Sequence, residues 1–233
     1  ELSVDRSGRM LTVTFNRPER HNAMTWAMYD GLYQACDLAD SHDDIAVMVL
    51  RGAGEKSFVS GTDISQFGAF STGADGVAYE RRIEPFLTRI ESMRVPTVAA
   101  IRGYCVGAGI AIAAVCDLRV ATRSARFGAP IARTLGNCLS MNTYSLLVEH
   151  LGRSRTVDLL LRARLISGEE AHAAGFVCEV CDDDEFDSVL EGVVAPLLSH
   201  APLSMWACKE AVRRLRVSAL PNGDDLVAEV FAS

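Results

Sequence analysis

Residues 96–109 read PTVAAIRGYCVGAG, and this stretch contains the pattern that decides the fold. Residues 97–101 are a short apolar run, which is typical of a strand that is buried on both faces. Gly103, Gly107 and Gly109 then mark a turn, and residues 110–115 (IAIAAV) predict an apolar helix. A glycine turn between a strand and a helix lets a ligand approach bare backbone beside the free N–H groups of the helix N-terminus. The stretch therefore predicts an α/β fold and marks a candidate ligand site.

A second glycine turn occurs in residues 58–63, which read FVSGTD and follow the short strand predicted at residues 58–59. Neither turn is a nucleotide fingerprint. The glycines of residues 103–109 follow a GxxxGxG spacing instead of GxGxxG, and no P-loop lysine comes after them. Tight glycine turns are weak indicators of function one at a time, so the two turns have to be judged together.

Strand and helix patterns alternate along most of the chain. Strand patterns lie at residues 11–15, 45–50, 58–59, 97–101, 117–121, 125–127 and 176–180, and helix patterns at residues 79–93, 110–115 and 203–215. One more helix is predicted after Asn22, which is a candidate N-cap. Residues 64–75 are rich in Gly, Ser and Phe and predict a mobile surface loop. Because only helices follow residue 180, the sequence predicts an α/β core over residues 1–180 and a helical region over residues 181–233.

Composition excludes several classes of protein. The chain has 233 residues with 49% hydrophobic and 23% charged residues, which is ordinary globular usage and not that of a disordered chain. A net charge of −7 argues against nucleic acid or an anionic membrane as the main partner. No apolar run is long enough to span a membrane. Seven cysteines without a spaced framework favour reduced thiols in a cytoplasmic protein, and a single CxxC at Cys178 and Cys181 does not predict a metal site.

Taken together, the motifs resemble those of the crotonase family, the enoyl-CoA hydratase/isomerase superfamily. The matching stretches are NRPERHNAM (16–24), FVSGTDI (58–64), PTVAAIRGYCVGAG (96–109), CDLR (116–119), FGAP (127–130) and AHAAGFV (171–177). Their order and spacing follow the family over nearly the whole chain. The resemblance implies a spiral of ββα units, a C-terminal helical region used in trimer contacts, and a site for acyl-CoA thioesters. Family members usually continue for a further helix or so, which implies that the helical region is incomplete here.

In that family two backbone N–H groups bind the thioester oxygen. By resemblance they belong here to Thr62, after the glycine of the first turn, and to Ala108, at the middle of the second turn, where the family usually has glycine. Such donors stabilise the enolate that forms when negative charge moves onto the thioester oxygen. Ala108 keeps the N–H group, so the oxyanion hole survives if alanine fits the local backbone.

The same resemblance assigns substrate contacts around this hole. Within the two turns they are expected from Ser60, Gly61, Asp63 and Gly107. Apolar contacts are expected from Ile131 and Leu139. The segment Glu19, Arg20 and His21 matches family positions that border the thioester arm and the adenine phosphates. Arg20 could pair with a phosphate, and a solvated loop arginine is an equally good interpretation. Asp63 is more simply interpreted as holding its own turn than as an acid.

The chain departs from the family at the positions that carry acids. A hydratase of this family needs two glutamates to hold and activate water. The matching positions are Ala111, three residues beyond the second donor, and Ile131, directly after FGAP. Some isomerases and dehalogenases place an acid eight residues further on, where this chain has Leu139. Methyl and butyl groups cannot abstract a proton or orient water, so ordinary 2-enoyl-CoA hydration is not assigned.

Polar residues remain in the segment that borders the acyl pocket in the family: Arg133, Thr134, Asn137 and Cys138. Arg133 could bind a carboxylate on a malonyl-type thioester, and decarboxylation needs an oxyanion hole but no strong base. Cys138 is interpreted as a buried thiol, because no partner base is identifiable.

The resemblance thus implies an enzyme of fatty acid metabolism, a lyase or isomerase that stabilises a thioester enolate without the usual hydratase glutamates. Two alternatives stay open: an acyl-CoA decarboxylase or hydrolase, and a non-catalytic acyl-CoA-binding trimer. A homotrimer or a dimer of trimers is implied. Coenzyme A is expected only as part of the substrate, with no other cofactor and no metal. The acyl group and the pathway are not determined.

Overall fold

A computed structural model of the chain describes residues 1–67, 72–134 and 138–231. In these residues the larger sheet has six strands in the order β1-β2-β3-β5-β7-β10. The strands are β1 (Leu2–Ser7), β2 (Met10–Phe15), β3 (Val47–Gly52), β5 (Thr97–Ile101), β7 (Leu118–Thr122) and β10 (Glu179–Cys181). β1 and β2 form an antiparallel hairpin, and every later pairing is parallel.

A second, smaller sheet lies beside the first. Within the described ranges its four strands are β4 (Ser57–Val59), β6 (Tyr104–Val106), β8 (Arg126–Gly128) and β9 (Ile166–Ser167), in that spatial order. β4, β6 and β8 run parallel, and β9 closes the sheet antiparallel to β8. Each parallel strand of the small sheet follows directly after a strand of the large sheet.

The helices complete a repeating pattern. They are α1 (Trp26–Ser41), α2 (Gly73–Glu91), α3 (Ala108–Val115), α4 (Ile131–Thr134), α5 (Met141–Leu151), α6 (Arg153–Leu161), α7 (Gly168–Ala173), α8 (Phe186–Ser199), α9 (Pro202–Val217) and α10 (Asp224–Phe231). β3, β4 and α2 form one ββα unit, and β5, β6 and α3 form the next. The order of these units confirms the spiral that the resemblance implies.

The large sheet is covered on both faces, as a parallel sheet requires. Met48 and Leu50 of β3 point into the main core with the buried residues of α1, α2 and α3. Val47 and Val49 alternate with them and pack on the opposite face, against Phe186 of α8. All four side chains are at most 2% exposed, which agrees with the continuous apolar run predicted for this strand.

The C-terminal helices are tied to this core by buried ion pairs. Arg216 of α9 is 5% exposed in its side chain, and its Nη2 lies 2.5 and 2.6 Å from the two carboxylate oxygens of Glu91 on α2. Lys209 Nζ lies 2.6 Å from Asp117 Oδ2 beside the sheet. The boundary predicted near residue 180 stays a prediction, and so does the trimer. The outward side of α9 exposes Leu203, Val212 and Leu215.

Two local predictions are wrong. Asn22 is not a helix cap: Thr25 caps α1 and accepts the Met28 N–H, whereas Asn22 is fully buried. Residues 64–75 are not one loop, because Ile64–Phe67 form a 3₁₀ turn and α2 begins at Gly73. A capping box between Thr72 and Asp75 explains that early start. The remainder of the predicted loop, residues 68–71, lies outside the described residues.

Ser167 and Glu170 form a capping box at the start of α7. The last strand begins and ends slightly later than predicted, at Glu179–Cys181 instead of residues 176–180. Within the described part of the chain, no helix combines the length and the apolar character needed to cross a bilayer.

Gly109 offers a direct test of how tightly α3 packs on β4. A Cβ atom at this position would lie 2.1 Å from the carbonyl oxygen of Val59, which is backbone and cannot move aside cheaply. We expect Gly109→Ala to lower the free energy of unfolding by about 1–3 kcal/mol or more, through overpacking. The measurement is the urea midpoint at unchanged m-value.

Gly192 is the matched control for that substitution. It lies on the exposed side of α8, and an added Cβ would meet no atom within 4 Å. Gly192→Ala should raise stability by about 0.5–1 kcal/mol, because alanine loses less backbone freedom in a helix. Equal stability of the Gly109→Ala variant and the parent would contradict the close contact between α3 and β4.

Candidate active site

The two glycine turns meet because the strands before them are neighbours. β4 pairs in parallel with β6, with Ser57 opposite Tyr104 and Val59 opposite Cys105. The carboxyl ends of parallel strands emerge at the same edge of a sheet, so both turns leave the small sheet side by side. Their separation is small: a Cβ built on Gly107 would lie 3.3 Å from the Cα of Gly61. The structure therefore brings Thr62 and Ala108 together.

The first turn is held from the side by Met24. The Met24 N–H donates to Gly61 O, and the Asp63 N–H donates to Met24 O, both at 2.9 Å. This parallel bridge uses the backbone on either side of Thr62 and leaves the Thr62 N–H directed away from Met24. Among the described residues, no backbone carbonyl accepts the Thr62 N–H.

The second donor lies at the start of a helix. Ala108 is the first residue of α3, where backbone N–H groups have no partner within the helix. No carbonyl of the described residues accepts its N–H either. The left-handed conformation in this turn falls on Gly107, with φ of 58°, so Ala108 itself needs no unusual backbone. Alanine therefore fits at the position where the resemblance implies glycine.

Both donors line one cavity of about 390 Å³. Of the residues singled out from the sequence, the described lining includes Ser60, Gly61, Thr62, Gly107, Ala108, Ala111, Ile131, Thr134, Cys138 and Leu139. One helix that sequence reasoning did not connect with the site also contributes, because α2 presents Tyr79, Glu80, Ile83 and Leu87 to the cavity.

The side chain of Thr62 is fixed by two tyrosines. The Tyr79 hydroxyl donates to Thr62 Oγ1 at 2.8 Å, and the Tyr29 hydroxyl lies 2.8 Å from the same oxygen. Tyr29 is 1% exposed, and burial raises the pKa of both phenols, so both stay neutral donors or acceptors at physiological pH. This contact fixes the rotamer of Thr62 and with it the turn that carries the first amide.

Asp63 lies behind the turn and outside the cavity lining. Ser65 donates to Asp63 Oδ1 from its hydroxyl and its backbone, at 2.8 and 3.1 Å, and Arg17 Nη1 lies 3.0 Å from Oδ2. The Ser65 hydrogen bonds, followed by Arg17, hold the pKa of the Asp63 carboxyl below its usual value. The carboxylate thus links the turn to the segment that contains Arg17.

The other predicted contacts are not brought to the cavity. Glu19 and Arg20 are exposed in the 3₁₀ turn Pro18–Arg20, and His21 directly follows it, also exposed, with its ring centroid 6.4 Å from that of Tyr104. Arg133 is exposed on α4 and does not line the cavity. Roles for these four residues stay predictions. Asn137 lies outside the described residues.

Asn22 explains why the first sequence motif matters for the site. Its Oδ1 accepts the Arg17 N–H at 2.9 Å, and its Nδ2 donates to the carbonyls of Ala53 and Ser57 at 3.0 and 2.7 Å. The motif at residues 16–24 is therefore hydrogen-bonded to the loop that enters β4. It stabilises the first glycine turn through Asn22, Arg17 and Met24.

Cys138 lines the cavity as a protonated thiol. It is 7% exposed, and burial raises its pKa to about 11, with the nearby Glu80 as a second cause. A thiol with such a pKa is a poor nucleophile at neutral pH. This environment agrees with the interpretation of Cys138 as a buried core thiol.

Sequence reasoning missed Glu80, a half-buried glutamate of α2 that lines the cavity. Burial is the main cause that raises its pKa to about 7, and Glu84 one turn along adds to the shift. A hydrogen bond from the Ser140 backbone acts in the opposite direction. Glu80 borders the apolar stripe of Tyr79, Ile83 and Leu87, a position where glutamate is ordinarily solvated. Only the packing of α2 over the two turns reveals its burial.

Comparison with known proteins identifies the family. Residues 5–233 match the sequence family described as enoyl-CoA hydratase/isomerase. The chain belongs to this family. It is 32% identical over 210 residues to an (E)-benzylidenesuccinyl-CoA hydratase from Thauera aromatica, covering 90% of this chain and 81% of that protein. It is 31% identical over 224 residues to a 2,3-dehydroadipyl-CoA hydratase from Escherichia coli, covering 96% and 86%.

The fold agrees as well. A crystal structure of an enoyl-CoA hydratase/carnithine racemase from Magnetospirillum magneticum superposes with a TM-score of 0.88 at 30% identity, covering 97% of this chain and 84% of that one. Membership of the crotonase superfamily and the crotonase-like α/β fold are thus confirmed.

The raised pKa of Glu80 predicts how stability depends on pH. Because its carboxyl binds a proton more tightly in the folded chain than in the unfolded one, the free energy of unfolding should fall as pH rises from about 4.5 through about 7. Glu80→Gln replaces the carboxyl by a neutral amide and so removes the loss of stability that ionisation of the buried carboxyl causes. We expect the variant to be more stable than the parent by about 1–3 kcal/mol at pH 8 and to lose most of this advantage by pH 5.

Urea unfolding at both pH values measures the difference. Glu191→Gln, on the exposed surface of α8, is the control and should change stability equally at both. A Glu80→Gln variant whose advantage over the parent is the same at pH 5 and pH 8 would contradict the buried position of this carboxyl.

Proposed function

We propose that this chain is an enzyme that acts on acyl-CoA thioesters by stabilising a thioester enolate. The observation that carries the proposal is that Thr62 and Ala108 line the same cavity. Among the described residues, no backbone carbonyl accepts a hydrogen bond from the N–H group of either one. Membership of the enoyl-CoA hydratase/isomerase family, and similarity to two hydratases of CoA thioesters, support the choice of substrate class.

The two amides would act on the thioester oxygen. When a proton leaves the carbon next to the carbonyl, negative charge moves onto that oxygen, and two fixed donors stabilise it more strongly than they stabilise the neutral ester. In measured enzymes each such donor contributes roughly 2.7–4 kcal/mol to the transition state. The lining around the two amides includes Ile131, Leu139 and Val106, and such apolar surroundings would strengthen the interaction.

The acyl part of the substrate is proposed to be largely apolar. The lining includes the apolar side chains of Ile83 and Leu87 on α2 and of Ala111 on α3, and none of these can pair with a charged acyl group. The alternative of a decarboxylase that holds a substrate carboxylate on Arg133 gains no support, since that side chain is exposed outside the lining. Coenzyme A enters only as part of the substrate.

Ala108→Pro tests the oxyanion hole directly. Proline removes the N–H, yet it is accepted at the first position of a helix, where its fixed φ suits the backbone. We expect kcat on any thioester that the parent converts to fall by about 10²–10³, with little change in thermal stability. Steady-state kinetics and circular dichroism are the measurements.

Ala108→Gly is the matched control, because it changes the side chain and keeps the N–H. It should retain kcat within about threefold. Full activity in the proline variant would refute the role of this amide. A parent chain that binds acyl-CoA in calorimetry but converts no member of a broad thioester panel would establish the non-catalytic binder instead.

Hydration of crotonyl-CoA is expected to be slow. The cavity offers Ala111 and Ile131 at the family's two glutamate positions, and these side chains cannot activate water. A spectrophotometric assay with crotonyl-CoA should therefore show a kcat at least about 10²-fold below that of a family hydratase with both glutamates, measured in parallel. Comparable turnover would contradict the loss of function assigned to these two positions.

A further inference from the structure

Glu80 is the one carboxylate among the described residues that line the cavity. It shares that lining with Thr62 and Ala108, whose amides face the same space. The family positions that could hold an acid in this cavity, Ala111, Ile131 and Leu139, are apolar. A group able to accept and return a proton therefore enters the cavity from α2, an element that contains none of these three positions.

Glu80 has no cation to pair with in the described ranges. The titratable groups around it come from three elements. α1 contributes Tyr29, α2 contributes Tyr79 and Glu84, and the segment leading into and through α5 contributes Cys138 and Tyr144. All of them are neutral or negative at physiological pH. An unpaired carboxylate in such surroundings is poised between its two protonation states near neutral pH, which is the property required of a general acid–base group.

Glu84 differs from Glu80 in one respect that matters. It lies one turn further along α2, and the side chains of Asn142 and Ser140 donate to it, but it does not line the cavity. Its electrostatic effect on Glu80 is direct, while its contact with a bound acyl group is excluded by position. Substitutions of Glu80 and Glu84 can therefore distinguish an effect of contact with the substrate from an effect of negative charge alone.

We propose that Glu80 is the catalytic acid–base residue of this site and moves a proton between carbon atoms of an enoyl-CoA thioester. The inference rests on the proposed function, since it requires the enolate that the Thr62 and Ala108 amides stabilise. It assigns the proton transfer to α2 instead of the two family positions that lack their glutamates.

The step balances without another reactant. With a 3-enoyl thioester, the Glu80 carboxylate takes a proton from C2, the C–H electron pair forms the C1–C2 double bond, and the carbonyl π pair moves onto oxygen. The Glu80 carboxyl then gives its proton to C4. The C3–C4 π pair forms the new C4–H bond, the C1–C2 pair becomes the C2–C3 double bond, and the oxygen pair restores the carbonyl. The product is the 2-enoyl thioester and the carboxylate is regenerated.

A double-bond shift needs less of this site than hydration does. Hydration requires a water molecule to be held and activated in addition to the proton transfer, and the described lining has no carboxylate besides Glu80. One carboxylate suffices for the shift, because the same group removes and returns the proton. The expected substrates are therefore 3-enoyl-CoA thioesters with an apolar chain.

The test measures conversion of trans-3-hexenoyl-CoA to the conjugated 2-enoyl product by ultraviolet absorbance, for the full chain and two variants. Glu80→Gln should lower kcat by about 10²–10⁴ while calorimetry shows thioester binding within about threefold of the parent. In the parent kcat should rise with pH through about 7, since the carboxylate is the active form. The residual activity of Glu80→Gln should not show this rise of kcat with pH.

Glu84→Gln is the matched control. At the pH of maximal activity, this variant should keep kcat within about threefold of the parent. The rise of kcat with pH should occur at lower pH than in the parent, because the negative charge of Glu84 raises the pKa of Glu80. A parent that isomerises and a Glu80→Gln variant that retains more than a tenth of the activity would overturn the assignment of Glu80 and leave the oxyanion hole standing. A parent that converts no thioester, by shift or by hydration, would overturn both proposals.

Discussion

The parallel pairing of β4 with β6 is the constraint on which the site depends. It places the turn after Val59 and the turn after Val106 at one edge of the small sheet, so that two amides distant in sequence reach one cavity. Close packing around these two strands leaves no room for a side chain at two glycine positions. A Cβ on Gly109 would lie 2.1 Å from Val59 O, and one on Gly103 would lie 2.1 Å from Lys56 O. The glycines of this stretch are thus required by close packing of backbone on backbone as well as by access for a ligand.

The rest of the chain stabilises that junction from outside. Asn22, Arg17 and Met24 hold the first turn by hydrogen bonds, and Tyr29 and Tyr79 fix the Thr62 side chain from α1 and α2. Preorganisation of this kind is what makes an oxyanion hole effective, because donors that are already oriented need not reorganise when charge develops. The same contacts explain why α2 must pack over the turns, and that packing brings Glu80 into the cavity.

A feature could be predicted from the sequence when neighbouring residues determine it, and could not when residues distant in sequence determine it. The strand at residues 97–101 was predicted with the bounds that the structure has, because a buried parallel strand is an uninterrupted apolar run. The meeting of Thr62 and Ala108 followed from the family resemblance. The cap of α1 was wrong because Asn22 and Thr25 are both good capping residues, and only the buried partners of Asn22 decide between them. Glu80 could not be predicted, since its environment is made by residues more than 50 positions away in α5 and α1.

If the acid comes from α2, as we propose, and not from the two family positions, the chemistry that the fold can perform changes. At the positions of Ala111 and Ile131, two carboxylates would face each other across a water molecule next to α3 and α4. In our proposal a single carboxylate on α2 approaches the acyl chain from another element instead, and the described lining holds no second carboxylate to activate water. The proposed oxyanion hole would be indifferent to this change, because it would act on the thioester oxygen whichever atom gains or loses the proton. On this proposal the scaffold keeps the enolate, and the placement of one glutamate decides which product the enolate gives.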